Sequence, residues 1–197
     1  MTAGETARQA LVVDTLKTTA RLHEALAGGP AVEAIARAGD LLVGVLGGGG
    51  QVLAFGNGGS AADAQHFVAE LVGRFERHRR GFPAVALTTD PSIVTAVSND
   101  YGFEAVFARQ IEALGRAGDL AVAITTSGES PNVVRGLEAA KARGLRTLAL
   151  TGHDGGAAGR LAEVHVNVPA TVTARVQEAH VTVLHLLSAF VDREVEG

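Results

Sequence analysis

The sequence predicts an α/β fold: a mostly parallel five-stranded sheet in three α/β/α layers, preceded by two N-terminal helices. Three observations predict it. From residue 52 onward, short apolar runs alternate with helical patterns, which is the signature of strands joined by crossover helices. Those runs end in glycine- or hydroxyl-rich turns that lead straight into helix starts, where an α/β sheet puts its ligands. The chain has 197 residues, 47% apolar and 19% charged, enough to bury a core without disulfides or metal staples. We therefore expect one domain over 1–197, with residues 1–48 as packing or oligomerisation helices and 49–197 as the α/β core.

Residues 5–27 read as an amphipathic helix carrying Leu11, Leu22 and Leu26, and Gly28-Gly29-Pro30 ends it. A second helix runs through Val32, Ile35 and residues 41–46. Both precede the first strand, so they pack either on the sheet or against another subunit. The first strand is 52–55, bounded by glycine. Gly56-Asn57-Gly58-Gly59 then turns the chain, and Ser60 suits a helix N-cap, with Asp63 as its capping-box-like acid, for a helix over 60–72. Residues 84–87 form the second strand, followed by Thr88-Thr89-Asp90-Pro91 and a helical segment ending near Ser98-Asn99-Asp100. A helix over 103–114 precedes the third strand, 120–124. The hydroxyl-rich stretch 125–130 follows, with a helix from Pro131. Residues 147–150 form the fourth strand, Gly152-His153-Asp154-Gly155-Gly156 is a turn, 164–168 is the fifth strand, and a long helix spans about 172–194.

Chemistry collects at the strand ends. A strand, a glycine turn and a helix N-terminus expose backbone N–H groups to an anion, usually a phosphate. The same glycines fit the loose dinucleotide fingerprint G-x-G-x-x-G/A, but that fingerprint wants a second strand ending in an acid about 20 residues on. Here the region reads Phe75-Glu76-Arg77-His78-Arg79-Arg80, too charged for a buried strand. His66 and Glu70, one turn apart, project from one helix face beside the loop; such a pair is either a surface salt bridge or a catalytic pair. Thr125, Thr126, Ser127 and Ser130, with Pro131 at the first helical position, make a second anion loop that needs no lysine. Asn99-Asp100 holds sugar hydroxyls or forms an Asx turn, and the sequence leaves both open. On the last helix, at roughly 100° per residue, His180 and His185 fall about 60° and 80° to opposite sides of Gln177. One small site can use only one of them, and His180 reads equally well as a core histidine.

Composition excludes other classes. The net charge of −4 gives no electrostatic case for nucleic acid. Arg74, Arg77, Arg79 and Arg80 form the dense basic patch, read as a solvated loop. With no cysteine, disulfides and thiolate metal sites are out of reach. No apolar run approaches the ~18 residues of a membrane span and no signal peptide is visible, so cytoplasmic residence is expected.

Together these motifs resemble the phosphoheptose isomerase family, sedoheptulose 7-phosphate isomerases of the sugar isomerase (SIS) fold. The resemblance spans nearly the whole chain. It rests on Gly56-Asn57-Gly58-Gly59-Ser60 with Asp63, His66, Glu70 and Arg74; on Ser98-Asn99-Asp100; on Thr126-Ser127-Gly128 with Ser130; on Thr151-Gly152; and on Arg175-Val176-Gln177-Glu178 with His185. It implies that Asn57, Gly58, Gly59, Ser60, Asn99, Asp100, Thr125, Thr126, Ser127 and Ser130, with Glu70 and Gln177, contact the sugar phosphate. It further implies Glu70 and His185 as the acid–base pair, zinc held by His66, Glu70, Gln177 and His185, and a homotetramer with sites at subunit contacts. Thr125, Glu129 and Ala174 depart from the common pattern at positions that bear on substrate orientation.

The implied reaction is aldose–ketose isomerisation of sedoheptulose 7-phosphate to D-glycero-D-manno-heptose 7-phosphate through an enediol, feeding nucleotide-activated heptoses. It needs a base that carries a proton between two carbons and an acid that shuttles protons between two oxygens. A part-buried carboxylate and an imidazole suit those tasks. The alternative is a non-catalytic SIS module that senses a sugar phosphate or docks on a replication initiator, or an isomerase of another sugar phosphate. A non-catalytic module has no need of Glu70 or His185.

Overall fold

The structure, a computed structural model, describes residues 3–195. Helices α1 (Ala3–Ala27) and α2 (Ala31–Gly47) come first. The strands are β1 (Val52–Gly56), β2 (Ala84–Ala86), β3 (Leu120–Thr125), β4 (Arg146–Thr151) and β5 (Val164–Asn167). They form one sheet in the order β2-β1-β3-β4-β5. Every neighbouring pair is parallel, so the expected mostly parallel sheet is wholly so. Between and after the strands run α3 (Gly59–Val72), α4 (Pro91–Tyr101), α5 (Val106–Leu114), α6 (Pro131–Ala142), α7 (Gly156–Leu161) and α8 (Thr173–Glu194).

The three layers follow from strand alternation. Val52, Ala54, Val122, Ile124, Leu148, Leu150 and Val166 point to one face and pack with α2, α3 and α8. Leu53, Phe55, Ala121, Ala123 and Ala149 point to the other and pack with α5, α6 and Ala158 of α7. Because β1 and β3 are covered on both faces, each reads as an unbroken apolar run rather than an alternating one.

The two leading helices part company. α2 buries Leu41, Leu42, Val45 and Leu46 against the sheet layer. α1 touches the body through its second half: Leu26 is buried, Thr19 donates to Glu178 Oε2 at 2.9 Å, and His23 Nε2 lies 2.9 Å from Thr182 Oγ1. Leu11, Val12, Val13 and Leu16, farther up α1, are exposed.

Local expectations needed correction in four places. Gly58 is the N-cap of α3, and Ser60 and Asp63 lie inside the helix and are buried, so neither forms a capping box. Asn99 and Asp100 belong to the last turn of α4 rather than to an Asx turn, and α4 is capped by Asp90, whose Oδ1 accepts from Ser92 and Ile93 N–H at 2.8 and 3.0 Å. α7 has six residues, two of them glycine, too few to register as a period. The basic stretch is not simply solvated: the Arg79 side chain is 4% exposed and bonded to Asp192 of α8 at 2.7 Å.

Candidate functional site

The strand order reverses direction between β1 and β3. From β1 the chain crosses over α3 to β2 on one side; from β3 it crosses over α6 to β4 on the other. The two helices cover opposite faces, so their loops splay apart and open a crevice at the strand ends, where such sheets bind ligands. Both anion loops of the sequence lie there. A reciprocal amide pair ties them together: Asn57 Nδ2 donates to Asn132 Oδ1 at 2.8 Å and Asn132 Nδ2 to Asn57 Oδ1 at 2.9 Å.

The second loop is built to hold its shape without a ligand. Thr125 is buried; its Oγ1 accepts from the Gly128 N–H at 3.3 Å and sits 3.4 Å from Ser130 Oγ. Ser127 Oγ accepts from the Glu129 N–H at 3.2 Å. Gly128 has φ +72°, and a Cβ there would stand 2.2 Å from the Gly155 carbonyl oxygen, so this position admits only glycine. The loop is braced against the start of α7: Ala158 N–H donates to Gly128 O and Ala157 N–H to Glu129 Oε1, each at 2.9 Å. Thr126 is half-buried, Ser127 is exposed, and Ser130 stands at the N-cap of α6. Behind the turn, Thr151 Oγ1 donates to Asn167 Oδ1 at 2.8 Å, which spends its only hydrogen. His165 Nε2, 2.6 Å from the same oxygen, must then donate.

α3 and α8 lie side by side and meet at two levels. At the upper one the Gln177 amide rests on Gly59, filling the space a Cβ would take, 2.2 Å from Nε2. About 10 Å further along α3, His66, Glu70 and His185 converge. His66 Nε2 is 3.1 Å from Glu70 Oε1 and 3.3 Å from His185 Nε2. One ligating atom from each of the three lies within 4.8 Å of the others. Two imidazole nitrogens and a carboxylate oxygen are a donor set that zinc accepts, with room for a further ligand. The structure thus gathers His66, Glu70 and His185, and leaves Gln177 beside the glycine loop. Asn99 and Asp100 are brought to neither group by a hydrogen bond among the described residues; Asn99 Nδ2 donates to Asp100 Oδ1 at 2.8 Å.

The two C-terminal histidines differ sharply. His185 is half-buried and joins the cluster, whereas His180 is 0% exposed and its Nε2–H donates to Thr151 O at 3.0 Å. Burial pushes the His180 pKa down to about 4, outweighing the hydrogen bond. Asp63, one turn before His66, is pushed the other way by burial, up to about 6 against the downward pull of His66, and its Oδ2 has no hydrogen-bond partner among the described residues. Residue reasoning missed Asn132, Arg79 and Phe75. Asn132 carried one signal, an amide directly behind the Ser-Pro helix start. Phe75 carried another, a lone aromatic in a run of charges.

Comparison with known proteins identifies the family and the fold. The SIS domain family matches residues 17–152. The phosphoheptose isomerase of Geotalea daltonii is 54% identical over 158 residues, 80% of this chain and 82% of the relative. Among solved structures, the phosphoheptose isomerase of Neisseria gonorrhoeae superimposes with a TM-score of 0.85 at 42% identity, covering 96% of this chain and 98% of the other. That of Francisella tularensis gives 0.89 at 36% identity, covering 98% and 100%.

Proposed function

Because the chain belongs to the phosphoheptose isomerase family of SIS-domain proteins, and so is a sugar-phosphate isomerase, we propose that it interconverts sedoheptulose 7-phosphate and D-glycero-D-manno-heptose 7-phosphate. One observation carries the assignment of roles: a carboxylate and two imidazoles converge within 4.8 Å, Glu70 and His66 from the helix that starts at the glycine loop and His185 from α8. Glu70 takes the proton from C1 of the ketose and returns it to C2. His185 gives a proton to the C2 oxygen and receives one from the C1 oxygen, so the enediol forms and collapses with no net gain or loss. Asn57, Gly58, Gly59, Ser60, Thr125, Thr126, Ser127 and Ser130 hold the phosphate end, with Asn99, Asp100 and Gln177 on the sugar.

Zinc fits the donors of His66, Glu70 and His185, and when bound it polarises a carbonyl as a Lewis acid. Gln177 supplies a fourth donor if its amide leaves Gly59. We read the exposed Leu11, Val12, Val13 and Leu16 of α1, and a groove of about 410 Å³ that includes Val32, Leu186 and Phe190, as surfaces for other copies in a homotetramer. No helix of the described residues is long and apolar enough to cross a membrane, in keeping with a cytoplasmic enzyme that supplies nucleotide-activated heptose synthesis. Incubation with sedoheptulose 7-phosphate, followed by proton NMR, tests the reading: an aldoheptose 7-phosphate is expected, and unchanged ketose overturns it.

A further inference from the structure

The imidazole of His185 packs against two rings. His66 meets it edge-on, centroids 5.0 Å apart at 81°, and Phe75 packs on it at a tilt, 5.3 Å away at 31°. Phe75 comes from neither helix. It sits in the connection after α3, among Arg74, Glu76, Arg77, His78, Arg79 and Arg80, a stretch whose composition alone would leave it in solvent.

A buried ion pair and the hydrogen bonds around it help to keep that stretch in place. Asp192 is 2% and Arg79 4% exposed at the side chain. Asp192 Oδ1 accepts from Arg79 Nε at 2.7 Å, and its Oδ2 accepts from the backbone N–H of Glu76 at 2.7 Å and of Arg77 at 2.8 Å. Arg79 spends its remaining nitrogens on carbonyls: Nη2 donates to Glu70 O at 2.7 Å, and Nη1 to Leu71 O at 2.9 Å and Arg80 O at 3.0 Å. The two backbone tethers fall on the residues immediately after Phe75. Asp192 follows His185 by two helical turns, on the same side of α8. One helix therefore presents both the imidazole and the carboxylate that anchors the ring packed on it. The same guanidinium also grips the last turn of α3, at the carbonyl of Glu70.

We propose that Phe75 is a positioning residue for His185, and that the Arg79–Asp192 pair is the clamp that holds it there. The His χ2 torsion is soft and two-fold, so an imidazole keeps one orientation only where its surroundings forbid the flip. A ring that must give and take protons at one nitrogen, or ligate through it, needs such a wall, and placement errors near 0.5 Å already matter. Phe75 supplies such a wall in addition to the edge contact of His66. The role rests on the proposed function in taking His185 to be the acid and a zinc ligand.

The test compares Phe75→Leu and Phe75→Tyr with the wild-type protein. Three quantities are read: the dissociation constant for zinc alone, the spectrum of ¹³C-labelled His185 in metal-free protein, and kcat and KM for sedoheptulose 7-phosphate. Phe75→Leu should weaken zinc binding roughly 10- to 100-fold, the range seen when a residue supporting a ligand is lost. Its His185 ring signals should shift and broaden, and kcat should fall with little change in KM, while Phe75→Tyr stays near wild type. Asp192→Asn should reproduce the Phe75→Leu spectrum if it folds; the Phe75 variants leave the clamp intact and decide the matter if it does not. Unchanged zinc affinity and unchanged His185 signals in Phe75→Leu would overturn the proposal. A wild-type protein inactive on the sugar would overturn the proposed function instead, and the zinc and spectral measurements would still judge the clamp.

Discussion

His180→Gln keeps an N–H donor within reach of the Thr151 carbonyl but cannot titrate, so it isolates the effect of burying one histidine. In the native chain His180 is fully buried, Nε2–H is bonded at 3.0 Å, and Nδ1 has no hydrogen-bond partner among the described residues. Burial holds its pKa down at about 4, against a usual 6.5. Between those values the unfolded chain binds a proton that the native chain excludes. The stabilisation is therefore complete above about pH 6.5 and is lost as pH falls toward 4. Integrating the linkage for one group gives a loss on the order of 1 kcal/mol near pH 5.5 and about 3 kcal/mol near pH 4. Asp63, raised to about 6, works in the opposite sense: its contribution is present at low pH and fades as pH rises through that value. A wild-type curve alone would blend the two, but the difference between wild type and His180→Gln contains only the histidine. Urea unfolding at fixed protein concentration, at pH 7, 5.5 and 4, measures that difference. Wild type should lose ground on the variant by the stated amounts, and parallel curves would refute a neutral buried His180. At neutral pH the same variant should keep zinc and turnover while His185→Ala loses both; the reverse pattern would move the acid role to His180.

Three further outcomes are expected. Glu70→Gln should lower kcat by about 10²–10⁴ while substrate still binds, and near-normal turnover would remove Glu70 from the proton path. Ser127→Ala with Ser130→Ala should weaken binding of the sugar phosphate, each lost hydrogen bond to a charged group being worth about 1.5–3 kcal/mol; calorimetry showing unchanged affinity would leave the loop a helix cap. Light scattering should give a tetramer, and Leu11→Glu with Leu16→Glu should dissociate it and reduce activity, whereas a fully active wild-type monomer would contradict sites completed by neighbouring copies.

What the sequence made legible, and what it hid, divides by the range of the interaction. The β1 run Val52-Leu53-Ala54-Phe55, the glycine turn behind it and the hydroxyl-rich loop from Thr125 to Ser130 are local patterns, and local physics was enough to read them as strand, turn and loop before a helix. The cap of α3 was misread because Ser60 is a good N-cap type, yet Gly58 occupies that position and Ser60 is drawn into the buried face of the helix. Here tertiary packing overrode propensity. The choice between His180 and His185 lay beyond the helical wheel, since it depends on which neighbour each side chain meets: Thr151 of β4 for one, His66 of α3 for the other. Arg79 marks the far limit. Its charge belongs by composition to the surface, and it is buried because a carboxylate 113 residues away completes it. Removing one member of such a pair strands the other charge, which costs about 3–5 kcal/mol. A sequence without Asp192 would therefore be expected to expose Arg79, and the ring of Phe75 would lose its hold on His185 along with it.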